Sequence, residues 1–134
     1  MSIDHISVAV KDLEKSAAFY DAVFDILGMR RIAERPTTIG YGKRYPEYWL
    51  NARPDMQDVA EDTGIHICLR ARSEEIVSAF YDAALASGGT DNGNPGPRQG
   101  ELTDYFGAFV KDPDGNKIEV VTFPVPEEGK SCPS

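Results

Sequence analysis

The sequence predicts an α+β fold of two tandem βαβββ modules, whose strands form a curved mixed sheet around a concave pocket. Three observations predict it. First, the chain repeats itself at an offset of 61 residues: Ala18-Phe19-Tyr20-Asp21-Ala22 returns as Ala79-Phe80-Tyr81-Asp82-Ala83, Asp12 meets Ser73, and Gly28 meets Gly89. A repeat of this length marks two copies of one supersecondary unit. Second, each copy opens on alternating apolar residues and then switches to helical spacing. Third, the same offset relates His5 to His66, and the chain has 2 histidines in all.

The first strand is read at residues 2–10. Ile6, Val8 and Val10 share one face, with His5, Ser7 and Ala9 opposite. Asp12 suits a helix N-cap. Leu13, Ala17, Tyr20, Phe24 and Leu27 follow at helical spacing, and Gly28 suits the stop. Three short strands are expected around 29–34, 37–42 and 47–51, followed by a polar linker over 53–63. Module one therefore covers about 1–52 and module two about 64–123 of a single domain, with a tail over 124–134 that has the composition of a poorly ordered end.

In the second copy, Ile65, Ile67 and Leu69 form the apolar face of a strand, with His66, Cys68 and Arg70 opposite. Ser73 is the expected N-cap, and Glu74 and Glu75 sit where the helix dipole favours acids. Val77, Phe80, Tyr81, Ala84 and Leu85 make the buried stripe, with Phe19 and Phe80 as core residues, and Gly88-Gly89 end the helix. Residues 90–104, rich in Gly and Pro, read as a long loop, and such loops in compact domains are often functional. Tyr105–Lys111 and Asn116–Phe123 read as a hairpin around Asp112-Pro113-Asp114-Gly115. The aspartates there lack the spacing of an EF-hand, so a plain turn is the expectation.

With 134 residues the chain can bury a real core. Its net charge of −8 argues against nucleic acid or anionic membranes as partners. No stretch approaches the roughly 20 apolar residues of a membrane span. The N-terminus runs straight into a structured pattern, so no signal peptide is expected. Cys68 falls in a strand and Cys132 in the tail, so no disulfide framework is expected and a cytoplasmic home fits.

The aliphatic face of each first strand should pack on its helix, which leaves both histidines on the concave side. This arrangement resembles the vicinal oxygen chelate superfamily, which includes glyoxalase I, bleomycin resistance proteins, extradiol dioxygenases, fosfomycin resistance proteins and methylmalonyl-CoA epimerase. The residues that carry the resemblance are Asp4–Val10, Phe19-Tyr20 with Leu27-Gly28, Gly64–Ile67, and Ala108–Val120. The last segment, a strand, then Asp-Pro-Asp-Gly-Asn, then Ile-Glu, is the most specific. The resemblance implies metal ligands at His5, His66 and Glu119. It puts a fourth ligand position in the strand Pro46–Leu50, where the repeat brings Trp49 or Tyr48 closest and glyoxalase I has a carboxylate or equivalent. Glu47 shares a face with Trp49 under strand alternation.

Two histidines and one glutamate suit Fe(II), and equally Mn, Ni, Co or Zn. Read as isolated residues, the histidines are simply hydrogen-bonded pocket residues; their matched placement favours a metal site. Trp49, Tyr41, Arg98 and Tyr105 are candidates for substrate contact, with Arg44 beside them; Arg98 suits a carboxylate or phosphate. The resemblance implies a glyoxalase-like lyase, isomerase or epimerase that acts on a small oxygen-chelating substrate, with Glu119 or Glu47 moving the proton. The alternative is a non-catalytic small-molecule binding protein of the bleomycin-resistance kind. A ring-cleaving dioxygenase is a minor reading, because no third histidine is present for acid–base work. A homodimer is expected, and the linker length leaves open whether each site is shared between chains.

Overall fold

The computed structural model describes residues 2–124. Its elements are β1 (Ile6–Val10), α1 (Leu13–Ile26), β2 (Arg30–Glu34), β3 (Thr38–Gly42), β4 (Tyr48–Ala52), β5 (Ile67–Arg70), α2 (Glu74–Ala86), β6 (Thr90–Arg98), β7 (Tyr105–Lys111) and β8 (Lys117–Thr122). They form two tandem βαβββ modules, each with its own four-stranded mixed sheet. The strand orders are β1-β4-β3-β2 and β5-β8-β7-β6. In each sheet the first strand runs parallel to the last and the others pair antiparallel. The expected tail beyond Pro124 lies outside the described residues.

Both helices start as the sequence predicts. Asp12 accepts from the Lys15 backbone N–H, and Ser73 accepts from that of Ile76. Helix α1 buries Ala17, Phe19, Tyr20, Val23 and Phe24, and α2 buries Val77, Phe80 and Ala84. Leu85, expected in the buried stripe, is 39% exposed. The shared pentapeptide serves both modules, with Phe19 and Phe80 fully buried. Its tyrosines diverge. Tyr20 is buried and donates to Asp112 Oδ2 at 2.7 Å, whereas Tyr81 donates to Asp91 Oδ1 at 2.9 Å near the surface. The helix stops differ by one residue from the repeat alignment. Gly28 and Gly88 take positive φ (77° and 102°), and Gly89 is instead required by close packing, since a Cβ there would stand 2.5 Å from Phe19.

The two modules pack through α1 against α2 and through the turn between β7 and β8. Asp112 Oδ1 accepts from the backbone N–H groups of Asp114 and Asn116, while Asn116 Nδ2 reaches the Ala9 carbonyl of β1 at 3.0 Å. The segment read as a plain turn is thus a buried polar junction, with Asp112 and Asp114 only 3% and 5% exposed. Burial pushes the Asp112 carboxyl above its ordinary range, and the bonds from Asn116 and Tyr20 oppose that.

The reading of residues 90–104 as one long loop is also corrected. Residues 90–98, read as loop, form β6. It is an edge strand with register shifts between Asp91 and Gly93 and again between Gly93 and Gly96. An edge tolerates Pro95 and Pro97 because one side of the strand needs no donors, and bulges absorb the glycines. The remaining connection, 99–104, is short.

Candidate functional site

Each sheet turns one face to its helix and leaves the other open. In the second sheet, Ile67, Leu69, Ile118, Val120, Ala108 and Val110 join the core. Strand alternation therefore sends Cys68, Glu119 and Phe109 to the open face, where they stand in one row: Cys68 pairs with Glu119 and Glu119 with Phe109. Glu119 is on the central strand β8, and its side chain is 7% exposed. A carboxylate buried this far needs partners. His66 Nε2 lies 3.2 Å from Glu119 Oε1, and the Tyr105 hydroxyl donates to Glu119 Oε2 at 3.0 Å. The His66 ring meets the Phe109 ring edge-on at 6.0 Å, with nearly half of the side chain exposed.

Cys68 also faces this carboxylate. Partial burial, together with the charge and hydrogen bond of Glu119, pushes its thiol up to about 12, so it stays protonated and donates. Its part at the site was not singled out from sequence, although strand alternation already placed it on the face of His66. Tyr105 is likewise raised, first by burial and then by Glu119.

The first sheet presents fewer ligands. His5 precedes β1, is exposed, and bonds Asp4 Oδ1 through Nδ1 at 2.7 Å. Trp49 is in a row with Ser7 and Gly40 on the open face. Its indole covers Gly40, where a Cβ would stand 3.0 Å away, and the Arg35 guanidinium lies over the ring at 5.3 Å. An indole has a donor and no lone pair for a metal. Tyr48, the other residue weighed for that position, is turned to the core and hydrogen-bonded to Tyr20 at 3.1 Å. Glu47 is exposed at the start of β4, where its carbonyl accepts from Ile6.

Tyr41, a candidate for substrate contact, is placed elsewhere. It is fully buried against α1 and donates to Asp21 Oδ1 at 2.8 Å, because alternation along β3 aligns it with Ile39 on the helix face. Arg98 ends β6, where its guanidinium lies 5.8 Å from the Phe109 ring centroid and donates to the Asn94 carbonyl at 2.7 Å. Arg98 and Tyr105 thus border the row of Cys68, Glu119 and Phe109, while Trp49 is in the other sheet and His5 precedes that sheet's first strand. Among the described residues, no three His, Cys, Asp or Glu side chains converge on one point. A recess of about 380 Å³ opens beside Asp25, Lys43 and Arg72, and one of about 480 Å³ beside Pro97, Asp104 and Phe106 includes Tyr105 and Phe123 in its wall; neither has His66 or Glu119 there.

A repeated βαβββ unit with a histidine at the head of each copy and a buried glutamate on the last strand defines a recognisable class. The chain belongs to the Glyoxalase/Bleomycin resistance protein/Dioxygenase superfamily, whose family model matches residues 2–120. It is 34% identical to a lactoylglutathione lyase of Haemophilus influenzae, over 90% of this chain and 92% of that protein. It is 35% identical to a probable lactoylglutathione lyase of Synechocystis, over 90% and 95%. Among solved structures, a glyoxalase/bleomycin resistance protein from Albidiferax ferrireducens superposes with a TM-score of 0.79 at 32% identity, covering 91% of this chain and 99% of that one. No helix of the described residues is long and apolar enough to cross a membrane.

Proposed function

We propose that the protein is a metal-dependent, glyoxalase-like lyase or isomerase acting on a small substrate with neighbouring oxygens. In this reading it works as a twofold homodimer in which His66 and Glu119 of one chain meet His5 of the partner subunit. The single observation that carries the reading is the His66–Glu119 pair. Two donors on one metal at about 2.1 Å would be separated by about 3.0 Å at a right angle and about 3.4 Å at the tetrahedral angle. The 3.2 Å between Nε2 and Oε1 falls inside that window. Two imidazoles and a carboxylate suit Fe, Mn, Ni, Co or Zn.

Sharing between chains is supported by the separation of the two sheets. Among the described residues they are joined by no strand pairing, and β1 and β5 are both edge strands. His5 and His66 head those edges, each with its own carboxylate partner, Asp4 and Glu119. Unpaired edges invite a second chain. The free thiol of Cys68 suits a reducing compartment, and we place the protein in the cytoplasm.

A bound metal would supply Lewis acidity at the substrate oxygens and so acidify the adjacent C–H. The protein's own residues then manage the proton. Tyr105 fixes Oε2 of Glu119, and Oε1, once released from the metal, would take the proton from one carbon and return it to its neighbour. Glu47, exposed at the head of β4, is a second proton carrier at the rim. Trp49 contributes an apolar wall at the position where a fourth ligand is missing.

The names of the two curated relatives make lactoylglutathione the first substrate to assay. The test is metal content after purification, for the wild type and for His66→Ala. The reading expects stoichiometric Fe, Mn, Ni, Co or Zn in the wild type and its loss in the variant. If neither protein holds metal, the enzyme reading fails. The Arg35–Trp49 stack at the fourth position favours one other reading, a binding module without metal. Its signature would be micromolar binding of a planar cationic drug by metal-free protein.

A further inference from the structure

We infer that Tyr105, lying over Gly107, is a positioning residue that fixes the carboxylate of Glu119 for metal binding; the inference rests on the metal reading above. Tyr105 is on β7 and Glu119 on β8, yet the two are not cross-strand partners. Tyr105 pairs with Arg98, and the β7 residue opposite Glu119 is Phe109. To reach Glu119 Oε2 at 3.0 Å, the phenol must lean along its own strand across position 107.

A side chain at that position would crowd the ring. A Cβ built on Gly107 stands 3.1 Å from Tyr105 Cε2, and 3.2 Å from both the Val120 carbonyl and Val121 Cγ1. The backbone at Gly107 is not in the left-handed region, so the glycine answers to space and not to φ. Phe123 closes the other flank, its ring centroid 5.9 Å from that of Tyr105. The ring is thus held between Gly107 and Phe123 with its hydroxyl aimed at one oxygen.

That bond decides which oxygen is free. With Oε2 engaged, Glu119 presents Oε1 alone to His66, as a one-oxygen ligand in fixed orientation. Partners that orient a ligating carboxylate typically change metal affinity about ten- to a hundredfold when removed.

The test is titration with Co(II) as probe, reading both affinity and the d–d absorption spectrum, on wild type, Tyr105→Phe, Gly107→Ala and the double variant. Thermal melts of the metal-free proteins control for folding. Tyr105→Phe keeps the ring and loses only the hydroxyl. The expected result is about a tenfold or greater loss of Co(II) affinity with an altered spectrum in each single variant. The double variant should be little worse than either single, because both remove the same bond. Wild-type affinity and spectrum in Tyr105→Phe would overturn the inference while leaving the metal reading intact. A double variant whose loss is the full sum of the singles would overturn the role of Gly107. Failure of the wild type to bind Co(II) would overturn both readings together.

Discussion

Glu119 is the residue on which the functional reading turns, and its surroundings separate site from core. It is a buried carboxylate held by Tyr105 and His66, on a strand whose alternate residues Ile118 and Val120 are in the core. Phe80 and His66 represent the two sides of that division. Phe80→Ala removes a fully buried ring from α2 and should cost about 3–5 kcal/mol. His66→Ala, on the half-exposed open face, should cost far less in metal-free protein. Urea titrations of both variants without metal check this, and equal losses would mean that the faces of β5 are reversed. The matched placement of His5 and His66 was legible in the sequence, because the repeat relates them directly, whereas Glu119 came from the family resemblance alone. The bond from Tyr105 was not, since it depends on a ring leaning over a glycine. Nor was the true place of Tyr41, because three short strands without sharp alternation left the face of β3 undetermined.

At the scale of elements, the joint between α1, β2 and β3 is ionic. Arg31 donates to both oxygens of Asp21, at 2.8 and 2.7 Å, and Tyr41 donates to one of them. The Arg31 hydrogen bonds hold the Asp21 carboxyl below its ordinary range, with Tyr41 assisting and partial burial opposing. A lowered carboxyl stabilises the fold above the unfolded-state value and loses that contribution as pH falls through the folded one. Asp21→Asn should therefore unfold at lower urea than wild type at pH 7, with the gap closing as pH falls below the ordinary carboxylate range. A gap that persists unchanged into acid would assign the effect to packing. The same scale explains the misreading of β6. Gly and Pro cluster in loops because both disrupt ladders, yet an edge strand with two bulges can hold them, and pairing with β7 is a long-range fact that local composition does not carry.

For the whole molecule, the repeat made the doubling of the fold legible, and the family model and the solved relative agree with it. How the two halves face each other was not legible, because it depends on α1 packing against α2 and on the Asp112 junction. That packing leaves His5 at the head of one sheet and His66 with Glu119 on the other, so the proposed ligands are divided between the two modules. Sedimentation at tens of micromolar should find a dimer, and a species of only 14.7 kDa would exclude it. The most direct measurement uses two variants, His5→Ala and Glu119→Ala, each lacking metal alone, unfolded and refolded together in equal amounts. If each site draws on both chains, half of the random dimers are mixed, and each mixed dimer holds one intact site of its two. The account predicts recovery of about a quarter of the wild-type metal content. No recovery at all, from a mixture shown to contain mixed dimers, would contradict it.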